Sequence, residues 1–148
     1  METPILRRLR DLTDFEVADG NPDVRGWTVR GADGKALGRV YELIVEPEAL
    51  KVRYLDIELD AHFKTNEHER HILLPIGVAA IDAEDDNVFV PALDSEKVLS
   101  YPPYIELQVT RDYEEAMLRA LGQEPGSTAG FYERDTYSDA AFYSARRG

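Results

Sequence analysis

The chain has 148 residues, 43% of them hydrophobic, no cysteine and a formal net charge of -12. That length carries one domain with an added segment and a core of its own, while the lack of cysteine excludes a disulfide framework, thiolate chemistry and a Cys-ligated metal. The charge excludes non-specific binding to nucleic acid, whose phosphates repel such a surface, and the longest apolar stretch, Ile72 to Ile81, is interrupted by Pro75 and Gly77 and falls short of the roughly 20 residues of a membrane helix.

The chain starts METPILRRLRDL, without the uninterrupted apolar segment of a secretory leader, so no targeting is read there and the expected location is cytoplasmic. Arg7, Arg8 and Arg10 read as a solvated face, with docking to an acidic partner as the alternative. Residues 1–25 form a lead-in arm, and its Asp19-Gly20-Asn21-Pro22-Asp23 run is dense in turn formers, an ordered loop leading into the next region. From Gly26 the pattern changes to short apolar bursts closed by Gly, Pro or Asp, as in the strands of an all-β domain.

Trp27 to Arg30 reads as a first strand, Ala32-Asp33-Gly34-Lys35 as a tight hairpin turn and Ala36 to Val45 as a second strand. Pro47 and Glu48 mark a turn, followed by strands at Lys51 to Leu59 and His71 to Pro75. Val78 to Ile81 reads as a short connection, Asp82 to Asp86 as an acidic turn, Asn87 to Pro91 as a fifth strand, and a further short strand is expected around Val98. Residues 26–104 thus form a small barrel of five to six strands, left through YPPY at Tyr101 to Tyr104, where Pro102 and Pro103 fix an extended backbone. A chain cut after Tyr104 is expected to stay a folded β-rich domain.

In the third strand, KVRYLDIEL, period-2 geometry places Val52, Tyr54, Asp56 and Glu58 on one face and Arg53, Leu55, Ile57 and Leu59 on the other. Leu55, Ile57 and Leu59 are expected in the core, with Asp56 and Glu58 outward beside Tyr54. Two carboxylates so placed suit acid-base chemistry or a hard cation, although a charged outer face that blunts strand aggregation is commoner. His62, His68 and His71 fall in the polar insert DAHFKTNEHERHI among Asp60, Glu67 and Glu69. They are weak candidates for a transition metal or a pH-sensitive contact, at a spacing that matches no standard metal site. There is no G-x-S-x-G elbow, Walker-type loop or Rossmann fingerprint, and Gly31, Gly34 and Gly38 are spaced for a hairpin rather than a phosphate. Neither an enzyme activity nor a cofactor is expected.

Residues 105–148 differ in kind. Thr110 or Asp112 can cap a helix running to Leu121, with Tyr113, Ala116, Met117 and Leu121 at helical spacing and Gly122 as its stop. The tail after Pro125 is polar but carries Phe131, Tyr132, Tyr137, Phe142 and Tyr143. It reads either as a disordered terminus or as an arm that wraps a partner. On the second reading, Tyr113, Met117, Leu121 and those five aromatics touch the partner.

The order G-W-x-V, D-G-K, L-G-R-V-x-E-L-I-V-E, V-R-Y-L-D-I-E-L, H-I-L-L-P-I and V-x-V-P, over roughly residues 5–105, resembles a PRC-barrel domain. This module occurs in the cytoplasmic part of the photosynthetic reaction centre H subunit and in ribosome maturation factors. The stretch VADGNPDVRGWTV makes the chain more similar to the H subunit, although no anchor like that ahead of the H subunit's barrel is read here. The resemblance implies a mainly β fold and a non-catalytic binding or assembly role, as a homodimer or docked to a larger complex, with peripheral association at a membrane left open. The alternative it implies is an accessory subunit of a photosynthetic or redox membrane complex that assists proton or electron transfer. Asp56, Glu58, His62 and His71 are the proton-handling groups of that alternative by chemical type.

Overall fold

The structure, a computed structural model, describes residues 6–12, 22–63, 69–82, 85–105, 109–126 and 131–144. Among these, seven strands form one sheet: β1 (Arg7–Arg8), β2 (Thr28–Gly31), β3 (Ala36–Glu46), β4 (Lys51–Leu59), β5 (His71–Pro75), β6 (Ala80–Asp82) and β7 (Asn87–Val90). Their order is β5-β4-β3-β2-β7-β6, with β1 on the far end of β3 and β2 parallel to β7. The strands at the two ends, β5 and β6, are not paired with each other, so the described sheet is bent but not closed.

The hairpin turn forms where Asp33 accepts the Lys35 N–H at 3.1 Å, and Asp33 also takes the Ser95 hydroxyl at 2.7 Å, tying the turn to the loop after β7. The expected connection at Val78 to Ile81 is instead a 3-10 turn, Ile76–Val78, followed by β6. Ile81 is buried and pairs with Val88, so three residues suffice to extend the sheet. Around Val98 the expected strand is a 3-10 turn, Lys97–Ser100, started by Asp94 accepting the N–H groups of Glu96 and Lys97. That local side-chain bonding competes with a strand ladder. The Asp19-Gly20-Asn21 part of the lead-in loop lies outside the described residues.

A helix, α1 (Arg111–Ala120), follows the barrel. Thr110 is its N-cap, accepting the Tyr113 N–H at 3.2 Å. It ends in a Schellman turn: Gly122 sits at φ +78, its N–H meets the Arg119 carbonyl and the Gln123 N–H meets that of Leu118. Beyond it come 3-10 turns at Phe131–Glu133 and Asp135–Tyr137 and a short helix, α2 (Asp139–Ser144).

This C-terminal segment is neither free nor extended over residues 131–144. Met117, Leu118, Phe131, Tyr132, Tyr137, Phe142 and Tyr143 belong to the same core cluster as Val29, Leu43, Leu55, Ile57 and Val88. β4 is therefore buried on both sides: Leu55 and Ile57 on the inner one, Val52 and Tyr54 beneath the C-terminal layer. The exit segment at Tyr101 to Tyr104, together with Tyr113 of α1, closes the bare edge of β5. Tyr101 Oη donates to the Leu73 carbonyl at 2.7 Å, the Leu73 N–H donates to Tyr113 Oη at 3.3 Å, and the Tyr104 N–H meets the His71 carbonyl at 2.6 Å. Blocked in this way, the edge offers no ladder to another chain.

The tail backbone runs directly against Gly77, where a Cβ would lie 2.0 Å from the Asp135 carbonyl oxygen. Only a residue without a side chain fits there. Gly77→Ala is expected to lower stability by about 1–3 kcal/mol through overpacking, measured by urea unfolding. Unchanged stability would mean that the tail does not lie on this turn.

Candidate functional site

The face of β4 opposite the core divides into a covered half and an open half. Tyr54, Asp56 and Glu58 follow the expected alternation, which slips at Arg53, left without a register partner between Val52 and Tyr54; of the three only Glu58 is exposed. Tyr54 is fully buried and Asp56 is 4% exposed. The expectation that Asp56 faces outward beside an outward Tyr54 is thus corrected: the C-terminal layer covers Tyr54, and Asp56 is buried against His71.

In the covered half the Glu114 carboxylate of α1 is completely buried. Tyr137 Oη donates to Tyr54 Oη at 2.6 Å, Tyr54 Oη donates to Glu114 Oε2 at 2.6 Å, and Tyr132 Oη donates to the same oxygen. Arg111 lies with its Nε 3.1 Å from Glu114 Oε1 and its guanidinium 3.7 Å from the Phe131 ring centroid. The Nε–Oε1 pair is an ion pair without hydrogen-bond alignment. Burial pushes the Glu114 carboxyl up from its usual range, against the pull of the two phenols and the guanidinium. This cluster joins β4, α1 and the tail.

In the open half, a bulge decides the geometry. Val40 pairs with Ile57 and Glu42 with Asp56, which leaves Tyr41 as an extra residue in β3. Its ring meets that of His71 edge-on at 4.8 Å, and the Arg10 guanidinium lies 4.7 Å from its centroid. Beneath them are two buried carboxylates, Glu42 and Asp56. Glu42 Oε2 accepts from Arg10 Nε, while Oε1 accepts the Leu43 N–H at 2.9 Å and pairs with Arg25 at 3.5 Å. Asp56 Oδ1 accepts from His71 Nδ1 at 2.7 Å, and His71 Nε2 is 3.7 Å from Glu58 Oε2. Arg39, Glu58 and His71 are cross-strand neighbours on β3, β4 and β5.

The hydrogen bond to Asp56 raises His71 above its ordinary 6.5, with the charges of Asp56 and Glu58 adding to it and partial burial opposing. Burial raises the Asp56 carboxyl above its ordinary 3.8, against the pull of His71. The arrangement can hold a proton at an imidazole with one buried and one exposed carboxylate beside it.

Of the residues singled out in the sequence, Asp56, Glu58 and His71 come together. His62 stands apart, exposed and stacked on Phe63 at 4.0 Å, and His68 lies outside the described residues. Among the described residues no group of three or more His, Asp or Glu is placed to hold a metal ion. Tyr113, Met117, Leu121, Phe131, Tyr132, Tyr137, Phe142 and Tyr143, expected against a partner, lie in or against the chain's own core. Arg10, read as solvated, is the ion partner of Glu42. Glu42, Tyr41 and Glu114 were missed: Glu42 and Tyr41 sit in an otherwise ordinary strand, and a bulge leaves no mark in one sequence. Among the described residues no helix is long and apolar enough to cross a membrane.

A family model for the PRC-barrel domain matches residues 16–97 of the chain. Among curated proteins, an uncharacterised protein of Deinococcus radiodurans is 28% identical over 79 residues, 53% of this chain but only 27% of that protein. The chain thus covers well under two thirds of the relative it matches.

With both His71 and Asp56 shifted upward, the fold favours their protonated forms. The stability His71 contributes is complete below 6.5 and is lost as pH rises through its higher folded value. An NMR titration is expected to place His71 above 6.5, and Asp56→Asn to bring it back down and flatten the fall of the melting midpoint over that window. A His71 that titrates below 6.5 in the native chain would contradict the pairing.

Proposed function

Because the chain belongs to the PRC-barrel domain family, we propose that it is a non-catalytic binding and assembly module, acting in the cytoplasm by self-association or by docking to a larger complex. Residues 26–104 supply the family module and residues 105–148 the layer that packs on it. The observation that carries this reading is the open half of the outer face. Tyr41 is 42% exposed above an ion cluster that holds it between Arg10 and His71. Tyr and Arg side chains held rigidly at a surface are the residues on which interfaces most often depend, and a pre-ordered Tyr loses little entropy on binding.

A second reading is favoured by the row Glu58, His71 and Asp56, which leads from an exposed carboxylate through an imidazole to a buried carboxylate. Such a row suits proton handling by an accessory subunit at the cytoplasmic face of a photosynthetic or redox membrane complex, where this chain would sit as a peripheral part.

Light scattering of the full chain across a dilution series tests the first reading. A mass of more than one chain that falls on dilution is the expected result. A single-chain mass throughout removes self-association and leaves docking to a heterologous complex, where the second reading belongs.

A further inference from the structure

Where the tail passes the start of β4, a cleft of about 270 Å³ lies between the strand and residues 132–140. Three cations line it, Lys51 and Arg53 from β4 and Arg134 from the tail. Arg53 is the residue at which the pairing of β3 and β4 slips, and such a slip re-aims a side chain. The Arg53 side chain is 12% exposed and fixed at two points. Its Nε donates to Glu46 Oε1 at 2.8 Å and its Nη1 to the Tyr137 carbonyl at 3.1 Å. Among the described residues Nη2 has no acceptor, and it is not among the nitrogens sealed from solvent. Arg134 is fixed as well: Nη1 and Nη2 donate to the carbonyls of Glu124 and Pro125 at 3.2 and 2.7 Å. In a chain with 29 acidic residues against 17 basic ones, Arg134 has no carboxylate partner among the described residues. Lys51 comes only within 3.8 Å of Asp139, too far for a hydrogen bond, while the same carboxylate accepts the Val52 N–H at 3.3 Å.

The unanswered polar groups along β4 are therefore donors. Guanidinium and ammonium groups carry several donors and no acceptor, so a ligand completes them only by bringing acceptors. The remaining carboxylate of the lining, Glu133, is exposed at the rim and faces water. Tyr132 and Tyr137 supply an aromatic wall, since their hydroxyls are engaged by Glu114 and Tyr54. Both guanidinium planes are held by the protein before anything binds, so little side-chain freedom is lost on binding. An oxyanion brings the most acceptors in the least space, and the guanidinium fork fits a carboxylate or a phosphate. The volume lies just below the roughly 300–1,000 Å³ of sites for drug-sized ligands, which selects a small molecule.

We propose that this cleft binds a small oxyanion, the carboxylate or phosphate group of a small molecule, with Arg53 and Lys51 as donors on the strand and Arg134 on the tail. Because β4 and the tail each supply part of the wall, such a ligand binds the packed C-terminal layer and stabilises it.

Amide NMR of the full chain, titrated with inorganic phosphate and separately with acetate at an ionic strength held constant with sodium chloride, decides the matter. Saturable shifts centred on the lining residues are expected with at least one of the two anions, and the tighter one identifies the group. Lys51→Gln and Arg53→Gln are each expected to weaken binding at least about fivefold. Arg39→Gln, which removes an exposed charge from β3 outside the cleft, leaves it within about twofold. Circular-dichroism melts show whether Arg53→Gln is folded, and Lys51→Gln, at a half-exposed side chain, decides alone if it is not. Shifts with neither anion would overturn the site, and so would binding that Arg39→Gln weakens as much as Lys51→Gln does.

Discussion

A carboxylate with no access to water has to be satisfied by the protein or it costs the fold several kcal/mol. Glu114 is in that position: the phenols that donate to its Oε2 come from β4 and from the tail, and Arg111 stands as ion partner at Oε1. The strand, the helix that carries Glu114 and the tail therefore have to be in place together. The rest of the architecture follows from this requirement. β4 is buried on two sides, the edge of β5 is taken up by Tyr101, Tyr104 and Tyr113, and Gly77 admits the Asp135 backbone against the barrel.

The same layer defines the surface that is left. It covers Tyr54, while Asp56 beside it is buried against His71 and Glu58 is exposed. At that boundary the β3 bulge adds Tyr41, and the buried pair Glu42 and Asp56 is neutralised by Arg10, Arg25 and His71. Buried charges of this kind hold their partners in one geometry even where their net contribution to stability is small. Tyr41 is thus held between a guanidinium and an imidazole.

How much of this could be read from the chain follows the range of the interactions. Local chemistry was legible: the Asp33 turn, the Thr110 cap, the Gly122 stop, the bounds of β4 and the division of its residues between two faces. What those faces meet was not. Tyr54 and Asp56 read as outward because alternation tells which residues share a side and not whether a segment 60 residues away returns to cover it. The aromatics from Phe131 to Tyr143 read as a free or partner-binding tail because their neighbours are small and polar, and the structure packs them in the core they share with the barrel. β6 was hidden by Pro75 and Gly77, which mark a turn just ahead of it. In the candidate site, Asp56, Glu58 and His71 were found from residue type and spacing. Arg10, Tyr41 and Glu42 were brought there by a bulge and by the pairing of β1 with β3, for which the sequence carries no local sign.

The most direct test is a chain ending at Tyr104, compared with the full chain by near-ultraviolet circular dichroism and thermal unfolding. Removing α1 and the tail takes away Glu114, Tyr132, Tyr137 and Phe142, bares Tyr54 and leaves the Leu73 N–H without Tyr113. Shared burial predicts loss of the aromatic signal and of cooperative unfolding. A shortened chain that keeps a native-like aromatic spectrum and melts cooperatively would contradict it, and would show the barrel to be complete without its C-terminal layer.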